Sequence, residues 1–262
     1  AEAQSDVTIT RGLVAIPTTA TRVVSAAKSV IDAVVEKTKK RIEGMAGAVG
    51  AVFKEAEEKE EQAAKQEFFV LQLAQFAKSS VEAFIADLNK FAESDTPYLI
   101  IDLRGNPGGF LEVAVDLSSY FLPKDALVVS SRTGPDASAS EYKSVGYHTL
   151  DKLKGRRIVV IVDKNSASAS EILAGALQDH GVAKVVGERS FGKGSVQSLV
   201  DIGDLGSLKI TISRWYTPNG KNISETGIVP DVVVDSADPK FASSTDPFID
   251  AATETLLEDS LW

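Results

Sequence analysis

The sequence predicts an α/β fold, with helices packed on the faces of a sheet, and three observations carry that prediction. Short apolar, β-branched runs occur at Tyr98-Leu-Ile-Ile-Asp-Leu103, Arg157-Ile-Val-Val-Ile-Val-Asp163 and Lys184-Val-Val-Gly187. The first two run into tight turns and then into stretches whose apolar residues recur at three- and four-residue spacing. Strand and helix patterns alternate, and 262 residues at 44% hydrophobic content suffice for a full core and one small appendage.

Taken in order, residues 21–66 come first. Val23, Val24, Ala27, Val30, Ile31, Val34, Val35, Ile42, Met45, Val49, Val52 and Phe53 recur at helical spacing with no proline to stop them. The segment is expected to be a helical insert, either a hairpin or one long helix. Gly44, Gly47 and Gly50 cluster at its midpoint, where each costs about 1 kcal/mol inside a helix, and this suits a turn. A hairpin would set Lys37, Lys39, Lys40 and Arg41 opposite Glu55, Glu57 and Glu58. One continuous helix would run about 60 Å at roughly 1.5 Å per residue, and its apolar stripe would need a partner helix or a second copy of the chain.

Beyond the insert the pattern gives a helix over residues 79–91, a strand over 98–103, a helical stretch over 110–121 and a strand over 126–131. Ser138-Ala-Ser-Glu141 follows Thr133-Gly-Pro-Asp136, with no buried strand before it, and reads as a surface loop. A strand over 158–162, a helix over 169–180, strands over 184–187 and 208–213, and a closing helix over 247–258 complete the series.

The chemistry concentrates in three of the turns. Asn165-Ser-Ala-Ser168-Ala-Ser-Glu171 lies between the strand at 158–162 and the helix at 169–180. Unpaired N–H groups and the positive end of the helix dipole at such a turn would stabilise an anionic oxygen forming beside the serine. A serine there is ordinarily an N-cap, and Ser166, Ser168 and Ser170 compete for that place. A lysine 25 residues after Ser168, in Phe191-Gly-Lys193-Gly194, turns the reading toward a Ser/Lys hydrolase. A lysine accepts a serine proton near neutral pH only if its pKa falls by several units, through burial among apolar groups or a nearby positive field. Gln197, four residues on, is placed to hold the amine by a hydrogen bond. In the third turn, Arg104-Gly-Asn-Pro-Gly-Gly109, two adjacent glycines at a helix start expose backbone N–H groups suited to half of an oxyanion hole. His180, in Gln178-Asp-His-Gly181, reads as a helix C-terminal residue, and neither it nor His148 has the strand-and-glycine setting of the lysine.

Together these segments resemble the C-terminal processing (tail-specific) serine peptidase family. Its hallmarks are similar to Asp102-Leu-Arg-Gly-Asn-Pro-Gly-Gly109, Asn165-Ser-Ala-Ser-Ala-Ser-Glu-Ile172 and Phe191-Gly-Lys-Gly-Ser-Val-Gln197. The likeness runs in order from about Phe68 to Val234 and includes Gly175-Ala-Leu-Gln-Asp179, Trp215-Tyr-Thr-Pro-Asn-Gly220 and Gly227-Ile-Val-Pro-Asp231. It implies a crotonase-like spiral core, Ser168 as nucleophile, Lys193 as general base and Gln197 as the residue that orients it. It further implies the N–H groups of Gly108 and Ala169 as oxyanion hole, a supporting structural role for Asp179, no cofactor, polypeptide substrates and a cell-envelope location outside the cytoplasm. The family carries a PDZ domain ahead of the core, of which only Ser5-Asp-Val-Thr-Ile-Thr-Arg11 looks like a closing strand. The expected division is therefore a remnant PDZ strand and linker over 1–20, the helical insert over 21–66 and the catalytic core over 67–262.

Other classes fit less well. A formal charge of −9 without a basic face excludes nucleic acid as partner. The chain has no cysteine, its two histidines are far apart, and so no metal-ligand motif is present. No apolar run approaches the roughly 20 residues of a membrane span. Gly187-Glu-Arg-Ser-Phe-Gly-Lys193 has P-loop spacing, yet Gly194 stands where Ser or Thr must hold magnesium, and a strand pattern follows where a helix is required, so no nucleotide is expected. A non-catalytic scaffold binding partners through residues 21–66, and a crotonase-type acyl-CoA enzyme, leave the Ser168–Lys193 pairing without a purpose.

Overall fold

A computed structural model describes residues 19–26, 30–33, 36, 66–134, 138–147, 149–202, 206–224, 226–242 and 244–262. In chain order its elements are β1 (Thr19–Ser25), β2 (Glu67–Leu73), α1 (Lys78–Glu93), β3 (Tyr98–Asp102), α2 (Leu111–Ser118), β4 (Leu127–Arg132), β5 (Ser140–Lys143) and α3 (Thr149–Leu153). There follow β6 (Arg157–Val162), α4 (Ala169–Asp179), β7 (Lys184–Gly187), β8 (Ser195–Asp201), β9 (Ser207–Tyr216), β10 (Val232–Val233) and α5 (Pro247–Leu257). The main sheet runs β1-β2-β3-β6-β7-β10, parallel except for β1, and a second, antiparallel sheet runs β5-β4-β9-β8.

Period-two alternation divides the main sheet between two cores. Phe69, Leu71, Leu73, Leu99, Ile101, Ile158, Val160 and Val162 meet Phe84, Leu88 and Phe91 of α1, Leu117 of α2, and Ile172, Leu173 and Leu177 of α4. The intervening Phe68, Val70, Ile100, Val159, Ile161 and Val186 meet Phe241 and, from α5, Ile249, Ala252 and Leu256. Burial on both faces is why these strands read as unbroken apolar runs. The three turns singled out in the sequence all leave the carboxyl ends of β3, β6 and β7, adjacent parallel strands, so the topology gathers them at one edge, the usual ligand position in open α/β sheets.

The expected helical insert fails at its start. Val23 and Val24 belong to β1, opposite Phe69 and Phe68 of β2, so the core sheet begins at Thr19, ahead of the expected boundary. Four of the seven residues of Thr19-Ala-Thr-Arg-Val-Val-Ser are β-branched, and pairing with the open edge of β2 outweighs a helical spacing that is only a weak preference. Residues 30–33 are helical, and Ile31 packs against Ala26 and Leu257. The hairpin and long-helix alternatives, with Gly44, Gly47, Gly50 and the Lys37 and Glu55 charge runs, fall outside the described residues, as does Ser5-Asp-Val-Thr-Ile-Thr-Arg11. The expected loop around Ser138 also needs correction, because Ser140–Lys143 pairs with β4 as an exposed edge strand. Among the described residues no helix is long and apolar enough to cross a membrane.

Two arginines lock the scaffold. Arg156 donates to the carbonyls of Phe91, Ala92, Ser94 and Thr96 at 2.7–3.1 Å, answering the open C-terminal end of α1 with a cation. Arg104, at the end of β3, reaches Asp102 at 2.7 and 2.9 Å and Asp246, the N-cap of α5, at 2.8 and 3.0 Å. Burial pushes the Asp246 carboxyl up, but the hydrogen bonds and charge of Arg104 and the Ile249 N–H outweigh it and hold the group below the ordinary aspartate range. A depressed carboxyl contributes stability that is fully present above its unfolded value near 4 and is lost as pH falls through the lower folded value. Asp246→Asn should therefore lower the unfolding free energy by about 2 kcal/mol at pH 7 and flatten the acid limb below about pH 4, as read by urea titrations across pH. An equal loss at pH 7 and at pH 2 would count against this ion pair as the source.

Candidate active site

The serine turn is fixed from below by side chains that bridge it to its neighbours. Asp163, at the end of β6, accepts from the Gly105, Asn165 and Ser166 N–H groups at 3.0 Å each, joining the turn after β3 to the turn after β6. Burial pushes the Asp163 carboxyl up, and these N–H groups with the Ser166 hydroxyl more than reverse it, so it lies below the ordinary aspartate range. Asn106 is fully buried and donates to the Leu73 carbonyl at 2.7 Å, while its own carbonyl accepts from Ala167 N–H at 3.0 Å.

Of the three competing serines, two are structural. Ser166 is buried with its hydroxyl 2.9 Å from the Leu103 carbonyl, and Ser170 is buried with its hydroxyl donating to the Asn106 carbonyl at 3.0 Å. Ser168 is half-buried and donates no side-chain hydrogen bond among the described residues. It is also one of two non-glycine residues there with positive φ, at 57°, as N-cap of α4. Such backbone strain is held only where surroundings over-determine it, and it concentrates at functional sites.

A carboxylate that the sequence reading passed over does the holding. Glu171 is fully buried in the first turn of α4. Its Oε2 accepts from Ser168 N–H at 2.8 Å and Lys193 N–H at 2.9 Å, and its Oε1 accepts from Gly192 N–H at 2.6 Å and the Ser190 hydroxyl at 2.5 Å. Ser168 and Lys193 amides thus share one oxygen. Ser190 extends the tie, since its hydroxyl accepts from Ile228 N–H at 2.7 Å. The signal was present as Ser168-Ala-Ser-Glu171, which has capping-box spacing, and as an acidic residue within an apolar helix. Ser190 carried no such signal.

Two glycines make the close approaches possible. A Cβ on Gly108, at φ +96°, would lie 2.6 Å from the Ala167 carbonyl oxygen and 2.8 Å from both Ala169 N and Ser168 Cβ, so this backbone lies directly against the serine. A Cβ on Gly194 would lie 2.1 Å from Ser224 N, and the Gly194 carbonyl accepts from Trp215 N–H at 2.8 Å.

The remaining expected residues sort differently. The Gly108 N–H is engaged by Asn106 Oδ1 at 2.8 Å, in an Asx turn, so it is not the open oxyanion donor expected; Gly108 contributes proximity instead. Ala169 N–H, at the N-terminus of α4, has no hydrogen-bond acceptor among the described residues and lies against Gly108. Lys193 is exposed, not buried among apolar groups, because it sits in an irregular stretch anchored by its backbone alone. Gln197 is exposed on β8, and among the described residues no hydrogen bond joins Ser168, Lys193 and Gln197 to one another. Asp179 accepts from Asn219 N–H at 2.8 Å and so pins the turn after β9 to the end of α4. His180 follows α4 and its Nε2 pairs with the Leu127 carbonyl at 2.7 Å, while His148 lies outside the described residues. A strand, β8, follows Lys193, where a P-loop has a helix.

A strained serine at a strand–turn–helix junction, tied to a lysine loop at the carboxyl edge of a parallel sheet, has the form of a serine hydrolase site on an α/β scaffold. The profile of Peptidase family S41 matches residues 68–234, more than half of the chain, and the chain belongs to that family. It is 38% identical over 168 residues to the carboxy-terminal processing protease CtpB of Bacillus subtilis, covering 63% of this chain and 34% of that protein. It is 41% identical over 149 residues to the carboxyl-terminal-processing protease of Synechocystis sp., covering 56% and 33%. The solved photosystem II D1 C-terminal processing protease superposes with a TM-score of 0.67 at 25% identity over 96% of this chain and 55% of that one. Mature CPAF complexed with lactacystin, at 14% identity and TM-score 0.61 over 74% and 53%, shares the fold. The chain spans about a third of the length of these curated relatives.

Glu171→Gln keeps the shape but sets an NH2 group against N–H and O–H donors. It should cost about 3 kcal/mol in denaturant unfolding, and hydrogen exchange should quicken at the Gly192 and Lys193 amides before the sheet is affected. Unchanged exchange at those amides would show that the carboxylate does not hold the lysine loop.

Proposed function

We propose that this chain is the catalytic core of a serine endopeptidase, built as a crotonase-like spiral, that cleaves C-terminal regions of unfolded or tagged polypeptides through an acyl-enzyme. The observation that carries the reading is the convergence of Ser168 N–H and Lys193 N–H on one Glu171 oxygen, which ties the candidate nucleophile and base together through their backbones. The names of the C-terminal processing relatives support the substrate class.

In this reading Lys193, neutral at the moment of attack, takes the Ser168 proton. The Ser168 oxygen adds to the peptide carbonyl, and Ala169 N–H, at the positive end of α4, stabilises the oxyanion. Lys193 returns the proton to the leaving amine, and water then releases the acyl group by the same relay. Gln197 orients the lysine, and Asp179 supports the wall of the site through Asn219. Lys193 is exposed, and in this reading a bound polypeptide covers it. The geometry described is a resting arrangement that substrate completes. The reading places the protein outside the cytoplasm, in the cell envelope.

Cleavage of an unstructured peptide with an apolar C-terminus tests this. Ser168→Ala and Lys193→Ala should each reduce kcat/KM by about a thousandfold or more while the thermal unfolding midpoint stays within a few degrees. EDTA should leave the rate unchanged. Equal cutting by all three proteins would assign the activity elsewhere.

A further inference from the structure

We infer that the open edge of β8 is the docking strand for an extended segment of the polypeptide substrate, which joins the second sheet beyond β8 and leads from there to Ser168. The inference rests on the peptidase reading and adds where and how substrate is held.

The order β5-β4-β9-β8 leaves β8 with β9 as its one neighbour among the described residues. Ile202 N–H donates to the Gly206 carbonyl at 2.9 Å just beyond the strand end. Antiparallel alternation then turns the backbone groups of Val200 and Ser198 toward β9, and leaves the N–H and C=O groups of Leu199 and Gln197 on the open side. A peptide pairing there gains main-chain hydrogen bonds without regard to its sequence, as a processing enzyme for varied tails requires.

The two outer edges of this sheet are unlike. β5 presents Glu141 and Lys143, paired at 2.9 Å, the sort of charge that blunts an edge. β8, Ser-Val-Gln-Ser-Leu-Val-Asp, carries no proline and no charge before Asp201. Of the two outer strands of the main sheet, β10 has two residues and β1 carries the charge of Arg22 at its centre. One face at β8 is apolar too. Val200 lies opposite Leu208, and with Ile210 and Ile212 further along β9 these side chains are 41–51% exposed, a row that accepts apolar substrate residues at every second position.

Continuity with the site fixes the occupant as substrate. β8 starts two residues after Lys193, and that start is held by Gly194 against Ser224 and by the Trp215 N–H. The Lys193 amide is held in turn beside Ser168 by Glu171. From Ser195 to Leu199 the strand covers roughly 13 Å at about 3.3 Å per residue, which an extended peptide matches with about four residues. A substrate on this edge also lies along Lys193 and Gln197, and so supplies the cover that the exposed lysine lacks.

The experiment compares a short peptide with the same peptide extended by four residues on either side of the cut, using the full chain and its Leu199→Pro variant. Proline at 199 removes an outward N–H on an edge strand, where it is tolerated, and leaves the pairing with β9 in place. In the full chain the favourable extension should raise kcat/KM about tenfold, and Leu199→Pro should remove that gain while leaving short-peptide cleavage and hydrolysis of a small activated ester unchanged. Independently of any folding defect, N-methylation along the extension should weaken cleavage by the unaltered chain at alternate backbone positions only. A gain that survives Leu199→Pro, a uniform N-methyl effect, or no gain from extension overturns the inference. So does a concentration-dependent dimer that Leu199→Pro abolishes without changing peptide cleavage. Ester hydrolysis that persists in Ser168→Ala would overturn the peptidase reading itself, and the docking strand with it.

Discussion

The Glu171 carboxylate is the contact on which the site depends. A buried charge is costly unless every lone pair is met, and here three backbone N–H groups and one hydroxyl meet it. Those donors come from two separate turns, so satisfying the charge sets the distance between them. The serine turn also has hydrogen bonds of its own, from Ser166 N–H to the Asp163 carbonyl and from Ser170 N–H to the Ala167 carbonyl, and the carboxylate adds the tie to the lysine turn. The positive φ at Ser168 is sustained because its N–H is claimed by the carboxylate and its carbonyl by Glu171 N–H and Ile172 N–H. Strain, charge and loop position are thus one arrangement.

Beneath that contact lies a division of labour between strands and polar bridges. Parallel strands deliver the three turns to one edge, but strand register alone leaves loop positions undetermined over several ångströms. Asn106 and Asp163 reduce that freedom by joining the turn after β3 to the turn after β6, with Asn106 reaching as far as β2. Ser168 N–H therefore reaches the carboxylate from a bridged pair of turns, and the Ser190, Gly192 and Lys193 donors come to it from the turn after β7. Lys193 itself is held through its backbone N–H by Glu171 while the residue is exposed.

Much of this was legible in the sequence because burial on both faces forces unbroken apolar runs. That made β3, β6 and β7 readable, and with them the turns that follow. Ser168 was identifiable from its junction and from the distance to Lys193. Less legible were features decided by partners distant in the chain. Val23 and Val24 fit a helical stripe as well as a strand, and only the open edge of β2 chooses between them. The Gly108 N–H looked free because the Asn106 side chain that takes it is an ordinary turn residue in sequence. Glu171 was read as one letter of a motif, since four donors from two turns cannot be counted along a chain. The exposure of Lys193 likewise depends on what packs over a loop, which no local pattern encodes.

The pairing of β1 with β2 has a consequence for how such a chain can change over time. Ser25 and Glu67 stand opposite each other at the end of that ladder although about forty residues separate them in sequence. The entropy of closing a connection grows only with the logarithm of its length, so doubling it costs about 0.6 kcal/mol. The two strand ends act as a clasp that holds its shape whatever is threaded between them. Lengthening the connection beyond Ile31, which packs against Leu257, would add little entropic penalty to the sheet. The position is an architectural docking bay in which new modules can be tried while the chemistry behind it continues unchanged.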